Sequence, residues 1–394
     1  MRIAIVSFYL MESTIPLAKY LSSSGVEVNL YSLLPYGDQN TFVYDFSKNK
    51  QHNGFVDRKV IKSTLGEKLY KYLSNTNFKI FIYPDRWFQK IFFQDFYYAF
   101  CLAEEIKKEK YDLIHIIHSS RRFWLFLFLF LEKKKVVQTL HEVTAHEGKT
   151  SFFDALRLKW LIKESVPVIF HSYISKMRFI DYTKKIGLKT SNNNYEMIRF
   201  GLFETFNCFS NQQSEKINKD DKINILFFGK IVLYKGIHIL IEAVKLLQDK
   251  YSLHLVIAGG GEAYFEFKDI KSYEFINRFI PNEELVNLIE NCDMVVLPYT
   301  SASQSGVPMA VFPFNKPIIA SNIAGFKEVI DNLKTGILVN EITPQSFASS
   351  METLLINKEL KKNICENIKR KYCEGEFSWP FIADKTINFY KKKL

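Results

Sequence analysis

Short runs of apolar and β-branched residues recur along the chain, and stretches long enough for a helix separate them. Such runs predict buried strands, and their alternation with helical patterns predicts parallel, doubly wound sheets. In the first half the predicted strands cover residues 3–7, 27–32, 113–117, 136–140 and 168–171. In the second half they cover residues 223–228, 253–258, 273–277, 294–297, 317–320 and 336–339, with helices predicted at 237–247 and 283–291.

The two series of strands predict two Rossmann-like domains. Residues 206–222 lie between the series, and their density of Asn, Gln, Ser, Lys and Asp is typical of an interdomain linker. We therefore expect an N-terminal domain over residues 1–205 and a C-terminal domain over residues 223–379. In open α/β sheets ligands bind at the carboxyl ends of the strands, so two such domains facing each other would form a cleft.

One strongly apolar segment, residues 123–131, has two arginines before it and three lysines shortly after it. Two interpretations remain open. A helix that is apolar on all sides is usually a buried crossover helix, which is the interpretation we favour. The alternative is an element that dips into a membrane while the flanking cations bind lipid headgroups. The segment is far shorter than the ~20 residues that span a bilayer.

Composition and charge narrow the classes of partner. A chain of 394 residues that is 47% hydrophobic and 24% charged is neither disordered nor a small disulfide scaffold. Residues 1–200 hold 30 Lys/Arg against 19 Asp/Glu, whereas residues 201–394 hold 23 of each, so the first half carries the whole net charge of +11. An anionic membrane surface fits that half as well as a polynucleotide does. The sequence has no Walker lysine motif, which makes nucleic acid a minor alternative.

The cysteines and the N-terminal residues bear on the compartment. The five cysteines are scattered without a Cys-x-x-Cys pair, which is typical of reduced thiols in a cytosolic protein. The apolar run after Met1 and Arg2 is short and lacks a small-residue cleavage site, so we interpret it as the first strand rather than a signal peptide.

Candidate chemistry concentrates after the strands of the second half. Lys230 and Lys235 follow one predicted strand, beside a helix that begins at Gly236, where free N–H groups favour phosphate. Solvated loop lysines are the alternative. Residues 259–261 are three glycines, which allow a ligand or a turn to approach the backbone closely. Hydroxyls and amides in residues 301–308 would form either an anion nest or a simple helix cap.

The order of these motifs resembles the donor domain of glycosyltransferase family 4. The segments are GKIVLYKG (229–236), GGGE (259–262), DMVVLP (293–298), NKPIIAS (315–321), AGFKE (324–328) and TGILV (335–339). Looser similarities in the first half are YDLIH (111–115), TLHE (139–142), HS (171–172) and RFG (199–201). The FSWP motif (377–380) and the following helical run resemble the helix that closes the first domain, to which we assign residues 380–394.

The resemblance implies the GT-B fold, an α/β architecture of two Rossmann-like domains whose parallel sheets face each other across a cleft. It implies a donor diphosphate held by Lys230 and Lys235, with Glu262 near the nucleoside and Arg278 flanking the base. Paired cations and helix amides would neutralise the leaving phosphate, so neither a metal nor a cofactor beyond the nucleotide sugar is expected. The implied donor-binding residues are Gly229, Gly261, Glu262, Arg278, Ile280, Ser305, Gly306, Val307 and Glu328.

One departure from the family pattern concerns the donor sugar. Family 4 usually carries a Glu-x7-Glu pair, but here no Asp or Glu occurs between Met294 and Lys327. The segment resembles a Gln-Ser-Gly variant of the same family, which we do not interpret as an inactive enzyme. Recognition of the donor sugar and of the ribose must then rest on other groups.

In the first domain the resemblance places His141 against the transferred sugar or the acceptor, and we group it with Lys230 and Lys235 as catalytic. Glu12, Ser13 and His118 are expected on the acceptor side. A structural hydrogen bond is the alternative role for His141, and a helix-start carboxylate is the alternative for Glu12. The spacing from His141 to the next histidine is one residue too long for the His-Glu-x-x-His zinc motif.

Two functions from different classes follow from the sequence. The first is a hexosyl-type retaining glycosyltransferase that extends a lipid-linked surface polysaccharide or glycolipid, peripheral to the cytoplasmic face of a bacterial membrane. The second is a catalytically silent GT-B protein that binds a nucleotide or a partner glycosyltransferase, which the missing Glu pair would favour.

Overall fold

The computed structural model divides the chain into two compact units. Unit 1 comprises Met1–Gly201 together with Trp379–Leu394, and unit 2 comprises Leu202–Ser378. The structure describes residues 1–36, 41, 43–46, 53–84, 92–117, 121–141, 152–187, 194–210, 222–302 and 305–394.

The sheet of unit 1 has eight strands in the order β3-β4-β2-β1-β5-β6-β7-β8, and all are parallel except β3. Their bounds are β1 Arg2–Phe8, β2 Glu27–Pro35, β3 Gly54–Phe55, β4 Asn77–Tyr83, β5 Leu113–Ile117, β6 Val136–Leu140, β7 Val168–Phe170 and β8 Tyr195–Met197. The helices of unit 1 are α1 Met11–Ser23, α2 Arg58–Tyr72, α3 Phe92–Lys108, α4 Arg121–Phe130, α5 Phe152–Lys163, α6 Tyr173–Lys185 and α13 Trp379–Lys391.

The register of the parallel strands brings the carboxyl ends of several of them to one edge of the unit 1 sheet. In β1 Ile5 lies opposite Leu30 of β2 and His115 of β5, and every residue of β1 after Arg2 is buried. Helices on both faces of a parallel sheet require this continuous burial. The ends of β1, β5, β6 and β7 therefore share one edge, from which the following loops and helices begin.

The last helix completes unit 1 rather than unit 2. Gly201 has no room for a side chain, because an added Cβ would lie 2.6 Å from the Trp379 indole. Tyr390 of the same helix is buried and its hydroxyl lies 2.6 Å from Nδ1 of His115. The chain thus leaves unit 1 after Gly201 and returns at Trp379.

The sheet of unit 2 has six parallel strands in the order β11-β10-β9-β12-β13-β14. They are β9 Ile223–Phe228, β10 Leu253–Ala258, β11 Tyr273–Ile276, β12 Met294–Leu297, β13 Ile318–Ser321 and β14 Ile337–Val339. The helices of unit 2 are α7 Ile237–Leu247, α8 Asn282–Asn291, α9 Val307–Val311, α10 Ala324–Lys327, α11 Pro344–Ile356 and α12 Lys358–Ile368.

The predicted α/β class with two parallel-sheet domains is confirmed. Every strand predicted from the sequence is present, five of the eleven with the predicted bounds and the others with ends shifted by one to three residues. The sequence did not reveal β3, β4 and β8, which lie in or beside its most irregular stretches. The boundary also differs from the prediction, since unit 2 begins at Leu202 and residues 204–209 form a 3-10 turn in which Phe206 is buried.

The apolar segment after Arg122 forms α4, and most of this helix is buried. Trp124 is fully buried, stacks on Phe128 at 4.8 Å and donates a hydrogen bond to Oε1 of Gln138 at 3.0 Å. The buried crossover helix that we favoured is the one observed. Within the described ranges, none of the helices combines the length and the apolar character needed to cross a bilayer.

Candidate functional site

The loops that follow β9, β10, β12 and β13 come together at the carboxyl edge of the unit 2 sheet. The Thr300 amide donates to the carbonyl of Tyr234 at 2.7 Å, and the Gly325 amide donates to the carbonyl of Ala302 at 3.1 Å. The Ile231 amide donates to Gly260 at 2.9 Å. Four segments that are far apart in the sequence therefore form one continuous surface.

Glycine is required in this surface because backbones touch there. Gly259 has φ +150°, and an added Cβ would lie 2.0 Å from the carbonyl oxygen of Gly229. At Gly261 an added Cβ would lie 2.3 Å from the carbonyl oxygen of Ile231. Gly260 differs, since its nearest neighbour would be at an ordinary 3.6 Å. The outer two glycines thus serve loop-to-loop packing, which the sequence alone does not distinguish from contact with a ligand.

Lys235 is the most unusual charge of this edge. Its side chain is buried with Nζ 5.1 Å from the centre of the Tyr299 ring, and an added Cβ on Gly229 would lie 2.7 Å from that Nζ. Burial, together with a smaller effect of the nearby Lys230 ammonium, lowers the pKa of Lys235 to about 8. Among the described residues neither lysine has a carboxylate within ion-pair distance. Two cations without a counter-ion make this surface attractive to an anion.

The amides expected to assist these lysines are only partly available. α9 is a short helix whose first residue, Val307, donates its N–H weakly to Oγ of Ser305 at 3.4 Å. Gly306 lies against the ring of Phe203, 3.1 Å from an added Cβ. At the start of α7 the Ile237 amide already donates to the hydroxyl of Tyr264 at 3.0 Å. The sequence motifs did not point to this tyrosine cap.

The residues expected near the nucleoside lie beside this surface, in the loops after β10 and β11. Glu262 is exposed. Arg278 is exposed too, but its guanidinium makes a bidentate pair with Glu284 at 2.8 and 2.7 Å. The guanidinium that was expected to flank a base is therefore already bound to a carboxylate. Ile280 is buried, and Glu328 is half-buried directly after α10.

In unit 1 a strained turn connects β1 to α1. Tyr9 and Leu10 both adopt the left-handed region, with φ 64° and 53°. Ser7 donates to the carbonyl of Tyr9 at 2.7 Å, and Ser13 and Thr14 donate to the carbonyl of Leu10 at 3.1 and 2.9 Å. Consecutive left-handed residues without glycine are uncommon and persist only where the surroundings hold them.

Glu12 is buried directly after this turn. Among the described residues its Oε2 has no hydrogen-bond partner. Burial raises its pKa to about 7, against a smaller opposing effect of its own backbone N–H. Ser13 is buried as well and lines a small pocket of unit 1. The predicted role of Glu12 as a helix-start carboxylate describes its position, but with a pKa of about 7 the side chain is only partly ionised at neutral pH.

Two neutral histidines line part of that pocket, and Arg199 lines it as well. His115 Nε2 lies 2.7 Å from Oγ1 of Thr139, and its Nδ1 is bonded to Tyr390. His171 Nδ1 lies 2.7 Å from the carbonyl oxygen of Ile198. Burial lowers the pKa of His115 to about 3 and that of His171 to about 4. Both rings therefore stay uncharged at neutral pH.

His141, at the end of β6, belongs to the same cluster. Its ring centre lies 4.6 Å from that of His171 and 5.3 Å from that of Phe200, and its carbonyl accepts from Oγ of Ser175 at 2.8 Å. The side chain is half-buried. His118 lies outside the described residues, so its place on the acceptor side stays a prediction.

Two family models match the chain, one in each half. The model described as Glycosyltransferase Family 4 matches residues 13–183, and the model described as Glycosyl transferases group 1 matches residues 209–371. The second range contains the lysine pair and the glycine loops.

Several relatives are similar to parts or most of the chain. The glycosyltransferase MJ1607 of Methanocaldococcus jannaschii is 30% identical over 45% of this chain, which spans 48% of that protein's length. The putative glycosyltransferase YtcC of Bacillus subtilis is 25% identical over 76% of the chain and 77% of its own length. The capsular polysaccharide biosynthesis glycosyltransferase CapM of Staphylococcus aureus is 28% identical over 49% of the chain and 52% of its own length.

Solved structures of similar fold extend over the whole chain. A glycosyltransferase from Rickettsia africae superposes with a TM-score of 0.67 at 17% identity, covering 100% of this chain and 98% of that one. Anabaena Alr3699/HepE, solved in complex with UDP and glucose, superposes with a TM-score of 0.66 at 14% identity, covering both chains fully. Likeness at this identity concerns the fold.

Proposed function

The chain belongs to the family 4 glycosyltransferases of GT-B fold, and on that premise we propose that it transfers a hexosyl group from a nucleoside-diphosphate sugar, with retention, to a surface polysaccharide or glycolipid acceptor. We further propose that this acceptor is lipid-linked and that the protein works peripherally at the cytoplasmic face of a membrane. A nucleic acid has no part in this proposal.

The observation that carries the proposal is the lysine pair at the carboxyl edge of unit 2. Lys235 is buried and Lys230 is exposed beside it, and the described residues offer neither of them a carboxylate. A leaving diphosphate carries the complementary charge, and groups fixed in advance stabilise such a charge best. The complex of HepE with UDP and glucose supports a nucleotide-sugar donor for this fold.

Unit 1 supplies groups suited to a neutral, hydroxyl-rich acceptor. His115 and His171 in the pocket wall are uncharged, and Arg199 lines the same pocket. Ser13, His141 and Glu12 add polar atoms to this part of the unit. The capsular polysaccharide assignment of CapM supports a glycan as acceptor. We propose that His141 contacts the transferred sugar or the acceptor.

The family's Glu pair is missing from this chain, so the contacts to sugar and ribose must come from elsewhere. Glu328, half-buried directly after α10, is the first carboxylate that follows the segment in the sequence and is our candidate for this role. That neither a metal nor another cofactor takes part stays a prediction.

The test is a donor screen. The full chain is incubated with a panel of nucleotide sugars, with and without lipid extract, while release of nucleoside diphosphate is followed and binding is measured by calorimetry. Release with one donor would support the proposal. Binding that depends on Lys235 without any release or hydrolysis would support the catalytically silent protein instead, and neither binding nor release would overturn both.

The same calorimetry has an expected pH dependence. The charged form of Lys235 binds the diphosphate, and its pKa without ligand is about 8. Affinity should therefore hold below pH 8 and fall above it by up to about tenfold per pH unit, because binding must then take up a proton. Affinity that rises between pH 8 and pH 9 would exclude the lysine site.

A further inference from the structure

Helix α3 carries aromatic side chains on the surface of unit 1. Phe93, Phe96, Tyr97 and Phe100 are 85%, 44%, 60% and 43% exposed. Their spacing of three, four and seven residues places them on one face of the helix. The opposite face, with Ala99, Leu102 and Ala103, is buried in the core. The solvent-exposed face of a helix in a soluble protein is normally polar.

Helix α4 extends the patch. The ring centre of Phe96 lies 5.8 Å from Phe126 and 4.8 Å from Phe130, and the ring of Phe100 lies 5.4 Å from Phe130. Leu129 is 49% exposed beside them. Ring contacts of Phe96 and Phe100 with Phe130 thus join the exposed face of α3 to α4. The aromatic face is the name used here for the side chains of Phe93, Phe96, Tyr97, Phe100, Leu129 and Phe130.

The acidic groups of α3 are neutralised or buried. Glu104 pairs with Lys107 at 2.8 Å, Glu105 pairs with Lys79 at 3.0 Å, and Asp95 is buried. The α3 carboxylates therefore offer little repulsion to an anionic surface.

Cations near the C-terminal ends of α3 and α4 are available. Lys108, Lys110 and Lys134 are exposed, and within the described ranges they form no ion pair. Unit 1 as a whole holds 34 Lys/Arg against 20 Asp/Glu, a net charge of +14, whereas unit 2 holds 19 against 22, a net charge of −3. Free positive charge thus lies on the unit that carries the aromatic face.

We propose that the aromatic face is a docking surface for an anionic lipid bilayer. Exposed aromatic rings enter the headgroup region, and neighbouring lysines bind acidic headgroups. A second copy of the chain fits less well, since two units of charge +14 would repel each other. The inference rests on the proposed membrane-peripheral function and gives it a location. It also moves the contact from the 121–135 segment, which is mostly buried, to α3.

The test uses vesicles and the full chain. Phe93→Ser with Tyr97→Ser removes the two most exposed rings, and Leu246→Ser with Ile356→Ser removes similarly exposed apolar residues of unit 2 as a matched control. Thermal unfolding verifies that both variants are folded. The wild-type chain and the control should sediment with vesicles of phosphatidylcholine and one-third phosphatidylglycerol. The aromatic-face variant should bind at least tenfold more weakly.

A charge variant separates the two contributions. Lys108→Glu with Lys134→Glu should weaken binding to the anionic vesicles, and 0.5 M salt should weaken binding of the wild type in the same way. Pure phosphatidylcholine vesicles should bind the wild type more weakly than the anionic ones. Equal binding by the wild type and the aromatic-face variant, or no binding by either, would overturn the proposal.

Two further readouts distinguish the remaining outcomes. If analytical ultracentrifugation shows a wild-type dimer that becomes monomeric in the aromatic-face variant while vesicle binding is unchanged, the face is an interface between copies and the proposal is wrong. Donor hydrolysis without lipid is measured on the same proteins. Turnover without vesicle binding would refute only the docking surface, and vesicle binding without turnover would refute only the proposed transferase.

Discussion

Unit 1 and unit 2 finish their parallel sheets in opposite ways. At the edge of unit 2, backbones touch at Gly259 and Gly261, and two lysines stand without a carboxylate among the described residues. At the edge of unit 1, the imidazole side chains of His115 and His171 are hydrogen-bonded and uncharged.

The difference shows which edge keeps a charge that the described residues do not neutralise. Burial at the unit 1 edge has shifted the pKa values of its titratable groups in favour of their uncharged forms, so these groups carry less charge at neutral pH than they would in water. Burial has also lowered the pKa of Lys235, but only to about 8, so at neutral pH a charge remains that an anion could neutralise. Substitutions at both edges test this difference.

The largest effect is expected from Gly259→Ala, which tests whether backbone contact holds the unit 2 edge. The new Cβ would lie 2.0 Å from the Gly229 oxygen at φ +150°, and we expect a loss of roughly 3 kcal/mol or more in the free energy of unfolding. Gly260→Ala is the matched control, since its Cβ has ordinary contacts. Equal denaturation midpoints for the two variants would contradict this account.

Next is Lys235→Ala, which tests whether the uncompensated charge binds the diphosphate. Affinity for the nucleoside diphosphate selected by the donor screen should fall about 100-fold, or about 2.7 kcal/mol, in calorimetry. The free energy of unfolding should not fall, because a buried charge is removed. Lys245→Ala, whose parent side chain is paired with Glu242 at 2.7 Å, should bind normally. Equal losses in both variants would indicate a general charge effect.

Glu12→Gln tests whether burial at the unit 1 edge favours the uncharged form of the Glu12 carboxyl. The folded-state pKa of Glu12 is raised from 4.5 to about 7, so the folded state holds the proton longer than the unfolded state does. Stability from this group is present below pH 4.5 and is lost as pH rises to 7. Relative to wild type, the variant should therefore gain about 2 kcal/mol between pH 5 and pH 7 in urea unfolding.

The control for this measurement is the exposed Glu67→Gln, which should keep the same difference from wild type at both pH values. A Glu12→Gln variant whose difference from wild type is also independent of pH would mean that the carboxyl is already ionised and accommodated at low pH.

The smallest effect is expected from Tyr390→Phe. The variant removes the hydroxyl bonded to His115 and leaves a buried ring nitrogen without its partner, at a cost of about 1 kcal/mol in the free energy of unfolding. Tyr273→Phe, at a tyrosine that is 46% exposed, is the comparison and should cost less. If neither substitution changes the free energy of unfolding, the hydrogen bond between Tyr390 and His115 adds nothing to stability.

The sequence was most informative where a pattern is local. Buried strands such as β5, β6, β9, β10 and β12 have the predicted bounds, because a run of β-branched residues between polar loops has few other uses. The lysine and glycine motifs were located because each follows such a strand. The strand β4 was missed because it lies in a stretch rich in aromatic residues and lysine, where no clear strand pattern stands out.

Features that depend on distant partners could not be predicted. The pairing of Arg278 with Glu284, the Tyr264 cap of α7 and the raised pKa of Glu12 each depend on what surrounds the side chain in space. The aromatic face of α3 was within reach, since residues 93, 96, 97 and 100 have helical spacing. What the sequence could not provide was which face of that helix is turned outward.

The return of the chain to unit 1 at Trp379 has a consequence for synthesis on the ribosome. Tyr390 follows its partner His115 by 275 residues, and unit 2 is made in between. Unit 2 is continuous and can fold as it emerges, whereas unit 1 must wait, with the groove for α13 open, until the last helix has been translated. Because contacts this distant form slowly, the first unit to be synthesised should be the last to mature, and it is the one that a holding chaperone would protect.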